Sequence, residues 1–142
     1  MRGIGFVLLL LAGLAAGQAR AEEALGAADQ GQIRQVIEDQ LDAFRHDDGE
    51  RAFGYASPTI RAIFHDPDTF MRMVRTGYQP VYRPQEVEFR NLDLEDGTWV
   101  QRVLLVGPDG VPVVARYLMQ RQPDGSWLIN GCVLEKSPDT TT

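Results

Sequence analysis

Cysteine is nearly missing from this chain. Cys132 stands alone among 142 residues, so no disulfide can form within the molecule. In an oxidising compartment a lone thiol survives by burial. Cys132 lies in a predicted strand, far in sequence from either histidine, and is expected to be buried rather than catalytic or bridged to a second chain. Histidine is almost as scarce: His46 and His65 are the pair, and they show none of the ligand spacings of a metal site. No nucleophile elbow, phosphate-binding loop or cysteine–histidine dyad occurs, so neither a metal nor a cofactor is expected. Basic clusters are missing too. The 14 basic residues are scattered against 20 acidic ones, a net charge of −6, which argues against nucleic acid and anionic membrane surfaces as partners.

A hydrophobic run of membrane-spanning length is also lacking. The apolar stretch from Ile4 to Ala16 falls short of the roughly 18 to 20 residues a bilayer requires. It follows Met1-Arg2 and precedes Ala19-Arg20-Ala21, an A-x-A cleavage pattern, and reads as a secretory signal peptide over residues 1–21. No twin arginine precedes it and no cysteine sits at the cleavage site, which leaves the general secretory route. The expected mature protein is periplasmic or secreted, with no membrane attachment after cleavage. It has a single domain over residues 22–136 and a disordered tail over 137–142.

What the chain does contain is two kinds of periodicity. In "QIRQVIEDQLDAFRHDD", Ile33, Val36, Ile37, Leu41 and Phe44 recur at helical spacing, with charges on the other face. Asp29 and Gln32 form a capping pair for its start, and Gly49 supplies a left-handed C-terminal cap. A short helix follows through "RAFGYAS". Ser57-Pro58 and Asp66-Pro67 each read as a capped helix start with proline in the first turn. After Pro84 the period becomes 2. Val87 and Phe89 alternate with charged residues, then the phase slips to Leu92 and Leu94, the mark of a β-bulge. Asp96-Gly97 is a hairpin turn, and "WVQRVLLV", "VVARYLMQR" and "SWLINGCVLE" complete an antiparallel meander.

Strict alternation divides the strands into two faces. Trp99, Val103, Leu105, Ala115, Tyr117, Met119, Trp127, Ile129 and Val133 should meet the helices. Val100, Leu104, Val106, Val114, Leu118, Leu128 and Cys132 share the opposite face with Arg102, Arg116 and Asn130. That face is too apolar for open water, so a second copy of the chain is expected to cover it, giving a homodimer through a sheet face.

Helices followed by a meander with a bent first strand describe an α+β domain. "IRQVIEDQLDAFRHDD", "AFGYASPTIRAIF", "FMRMVRTGYQPVYRP" and "PDGSWLINGC" together resemble a family of exported bacterial proteins, domain of unknown function 4864, within the NTF2-like (SnoaL-like, cystatin-cone) superfamily. The resemblance runs from about Ile33 to Cys132, and "YQPVYRP" is its most specific part. It implies an NTF2-like cone, with N-terminal helices packed on a curved antiparallel sheet of about four strands, often enclosing a pocket and often dimeric. It implies no reaction. Superfamily enzymes such as ketosteroid isomerase and scytalone dehydratase use pocket Asp or His residues, but no catalytic role transfers to a numbered position here.

The candidate site residues are few. Pro80 and Pro84 favour an extended, polyproline-like segment in "TGYQPVYRP", with Tyr78 on one side and Tyr82 and Arg83 elsewhere. Tyr78, Tyr82 and Arg83 either stand at a pocket mouth, the arginine clamping a carboxylate, or plug the core while Arg83 pairs with a nearby acid. Arg102, Arg116 and Asn130 either bind an anionic group in a cavity or pair with acids of a second copy. His46 and His65 read as surface residues. The favoured function is a non-catalytic module binding a small apolar, amphipathic or anionic ligand, or a protein partner. The alternatives are a cofactor-independent isomerase, dehydratase or hydrolase, and a structural protein with a filled core.

Overall fold

A computed structural model describes residues 25–138. The expected signal peptide and the last four residues of the expected tail lie outside that range. The chain divides into two units at Gln30. Of the first, residues 25–30 carry the opening turn of helix α1 (Ala27–Arg45), where the Gln30 side-chain amide donates to the Leu25 carbonyl at 2.9 Å. Asp29 therefore sits inside the first turn, where a negative charge suits the helix dipole, rather than capping it from outside.

The second unit is α+β. After α1 come α2 (Gly49–Gly54), α3 (Pro58–Phe64), α4 (Pro67–Gly77) and α5 (Gln79–Tyr82), then β1 (Glu86–Glu95), β2 (Thr98–Val106), β3 (Pro112–Arg121) and β4 (Trp127–Lys136). The four strands form one antiparallel sheet in the order β1-β2-β3-β4. Among the described residues, no helix is long and apolar enough to cross a membrane.

The local starts follow their side chains. Ser57 Oγ accepts from the Ile60 amide at 3.2 Å, and Asp66 Oδ1 accepts from the Thr69 amide at 2.8 Å. In both cases proline fills the first turn, where its missing N–H has no intrahelical partner to lose. Asp96 and Gly97 both take positive φ, 49° and 81°, the conformation that closes a tight hairpin in register with the strand twist. The expected bulge in β1 is present, with pairing jumping from Phe89 to Leu92.

The core lies between the helices and one sheet face. Ile33, Ile37, Leu41 and Phe44 of α1 are all but inaccessible, as are Val103, Leu105, Ala115 and Tyr117 of the sheet. The Arg34 guanidinium lies 4.4 Å from the Phe89 ring centre, which sets α1 on this face. Phe70 of α4 gathers Phe44, Phe53 and Phe64, with ring centres 6.1, 5.3 and 5.7 Å away. Burying each such side chain is worth about 1.5–3 kcal/mol.

Three further local expectations are corrected. Gly49 is not the cap of α1: the positive φ belongs to Asp47, at 51°, and Gly49 opens α2. Ser137, expected in the loose tail, is 2% exposed just beyond β4. The third correction changes the site. β4 carries its own bulge, because Leu118 pairs with Gly131 while Met119 pairs with Ile129, leaving Asn130 as the extra residue. Beyond it the phase inverts. Cys132 stands opposite Tyr117 and shares its face, whereas Val133 stands opposite Arg116 on the other face and is 43% exposed.

Candidate functional site

Between the helices and the Tyr117 face lies a cavity of about 470 Å³, within the range of about 300–1,000 Å³ common for small-molecule sites. Its helical wall comes from α1 (Gln40, Phe44), α3 (Ile60, Ile63, Phe64), α4 (Phe70, Met73, Val74) and Val81 of α5, with Tyr78 between α4 and α5. The strand wall includes Tyr117, Ile129 and Cys132. Ile63 and Val133, 59% and 43% exposed, are the lining residues most open to solvent.

The lining is almost wholly apolar, with no Lys, Arg, His, Asp or Glu among it. Tyr78, Tyr117 and Cys132 form a polar cluster beside β3 and β4, and Gln40 stands apart on α1. The Tyr78 hydroxyl donates to the Cys132 carbonyl at 3.1 Å, and Gln40 Nε2 donates to the Ala52 carbonyl at 3.1 Å. The Tyr117 hydroxyl is different: among the described residues it is the buried side-chain polar atom without a hydrogen-bond partner. Such an orphan typically costs about 1–3 kcal/mol. Burial raises the ionisation of Tyr78 above the ordinary tyrosine value and that of Tyr117 well above it, with the neighbouring Cys132 adding to both. The Cys132 thiol is itself pushed up to about 12 by burial. At neutral pH the cluster is uncharged.

The residues singled out from the sequence fall in three places. Tyr78 lines the cavity. Tyr82 and Arg83 lie together below α1. The Tyr82 hydroxyl donates to Asp47 Oδ1, and the Arg83 guanidinium stacks 3.9 Å from the Tyr82 ring centre, pairs with Asp47 Oδ2 at 2.9 Å and donates to the Phe44 carbonyl. Tyr82 first, then Arg83, holds the Asp47 carboxyl below its ordinary range. "QPVY" is not extended but forms the single turn of α5, with Pro80 at its start and Val81 turned inward.

Arg102 and Arg116 oppose each other on the second sheet face. Both grip Glu95, at 2.7 and 3.0 Å, and Arg116 also reaches Glu135 at 3.2 Å. Their acids come from their own chain. Asn130 is elsewhere, its Oδ1 accepting from the buried Ser57 hydroxyl at 2.7 Å. Among the described residues no group of His, Cys, Asp and Glu could hold a metal. His46 has 68% of its side chain exposed, His65 is exposed, and neither lines the cavity.

Sequence reasoning missed Tyr117 and Cys132 as site partners. The available signal was Gly131 inside a strand pattern, which marks a bulge. The sequence pattern of the family described as domain of unknown function 4864 matches residues 26–142, and the chain belongs to that family. No curated protein and no solved structure matches the chain.

Proposed function

We propose that this member of the family is an exported, non-catalytic binding module with an NTF2-like cone, holding a small, mainly apolar molecule between its helices and its sheet. The observation that carries the reading is the uncharged, largely apolar cavity, whose most exposed lining residues, Ile63 and Val133, are apolar too. Apolar lining left facing water gains free energy when an apolar ligand covers it. General acid–base catalysis would need a proton-transferring group with a pKa near the working pH. In the cavity wall the tyrosines and the thiol are instead shifted away from neutrality. A homodimer through the second sheet face stays part of the proposal. It now rests on half-buried Leu104, Leu118 and Leu128 and exposed Val133, since Val100, Val106 and Val114 are already buried and Arg102 and Arg116 are paired within their own chain.

The test uses N-phenyl-1-naphthylamine, a neutral probe that fluoresces in apolar surroundings. The native protein should bind it saturably. Ile60→Trp, a half-buried position at the cavity wall, should abolish binding while the thermal midpoint stays within a few degrees. Lack of saturable binding to the native protein would sink the reading.

A further inference from the structure

We propose that the cavity selects neutral molecules bearing one oxygen acceptor, a ketone or ester carbonyl on an otherwise apolar frame, with the Tyr117 hydroxyl as the donor that recognises it. The inference rests on the binding reading above and names its ligand class.

Three observations converge on it. The first is the hydrogen-bond inventory of the cavity wall. The Tyr78 hydroxyl and the Gln40 amide nitrogen each donate to a carbonyl, of Cys132 and Ala52, whereas the Tyr117 hydroxyl has no partner among the described residues. Buried polar groups in folded proteins are nearly always satisfied, so an orphan on a residue that lines the cavity points to an absent partner. The second is charge. No cation lines the cavity, and the arginines once expected to bind an anion are committed, Arg83 to Asp47 and Arg102 and Arg116 to Glu95. A carboxylate or phosphate would enter without a counter-ion and lose its hydration for nothing. The third is position. Tyr117 is 1% exposed and sits in the middle of β3, opposite Cys132. A ligand oxygen meeting it would lie at the sheet wall, with the apolar frame against α3 and α4. The hydroxyl stays protonated across the physiological range and so remains a donor.

The experiment compares 2-acetylnaphthalene, its hydrocarbon isostere 2-isopropylnaphthalene, and 2-naphthoate at pH 7, on the full chain and on Tyr117→Phe. The ketone should lose about fivefold to tenfold in affinity on Tyr117→Phe, the range of one neutral hydrogen bond, while the hydrocarbon changes less than twofold. Naphthoate should bind at least tenfold more weakly than the ketone. Equal losses for ketone and hydrocarbon, or naphthoate binding as tightly as the ketone, would overturn the proposal while leaving the binding reading intact. If neither the ketone nor the hydrocarbon binds, the binding reading fails and this inference with it. The unmutated protein gives a second reading that needs no variant. The carbonyl stretch of bound 2-acetylnaphthalene should fall below its frequency in a hydrocarbon solvent, and an unshifted band overturns the assignment.

Discussion

Gly49 and Gly54 bracket the same six-residue helix, yet substitution should move stability in opposite directions. A Cβ on Gly49 would lie 2.9 Å from Met71 Cγ, and Met71 is 3% exposed with little room to retreat. The same atom on Gly54 would meet nothing within 4 Å. Gly49→Ala should therefore lose about 1–3 kcal/mol, the usual penalty of forced overpacking. Gly54→Ala should gain up to about 1 kcal/mol, because alanine restricts the unfolded chain and favours helix. Urea unfolding of the two single variants decides it. Two gains would mean that the contact between α2 and α4 relaxes freely, and two losses that Gly54 is not free to take a side chain. The conformational task that the sequence assigns to Gly49 falls instead to Asp47, whose left-handed backbone is held by Tyr82 and Arg83. Nothing in the local sequence shows that partnership, since its members lie more than thirty residues apart.

Elements were legible where one residue decides the backbone, and illegible where a distant partner does. The two serine/aspartate–proline starts, the Asp96-Gly97 turn and the slip in β1 depend on immediate neighbours, and each is found where the sequence puts it. The bulge at Asn130 is set by long-range contacts: Ser57 anchors the Asn130 side chain, and the Ser57 amide donates to the Ile129 carbonyl at 2.8 Å. That one extra residue turns Cys132 from the outer face to the cavity, and the candidate site moves with it. The segment around α5 shows the same limit. Proline suits an extended run and a helical first turn equally well, and the packing of Val81 decides between them. Arg83 joins α1 to α5 through the Phe44 carbonyl and Asp47. Arg83→Ala should lower stability by about 1 kcal/mol, through the Phe44 carbonyl more than through the half-exposed ion pair. Binding of the naphthyl probe should be unchanged. Lost binding with unchanged stability would restore Arg83 to the site.

At the scale of the whole molecule, ionisable groups fall into two sets that bound stability from opposite sides. The carboxyls of Asp42, Asp47, Asp66, Glu95 and Asp124 are all held below their ordinary values. For Glu95 the cause is first Arg102 and then Arg116; for Asp66 and Asp124 it is hydrogen bonds at a helix start and a turn. A depressed carboxyl contributes stability above its unfolded value and loses it as pH falls through the folded one. Those unfolded values are 3.8 for aspartate and 4.5 for glutamate, so the thermal midpoint should begin to drop below about pH 5. Cys132, Tyr78 and Tyr117 work in the opposite sense. Burial raises the thiol from 9.0 to about 12 and both phenols above 10.0. Their contribution is whole below the unfolded values and is lost as pH climbs past about 9 towards the folded ones. Melting curves from pH 3 to 11 should show a plateau between these limits. Glu95→Gln should flatten the acid limb alone, and Cys132→Ala the alkaline limb alone. A ligand seated in the cavity should raise the plateau by mass action and shield the thiol from alkylation. That would connect the alkaline limb to the same cavity wall that the binding experiments probe.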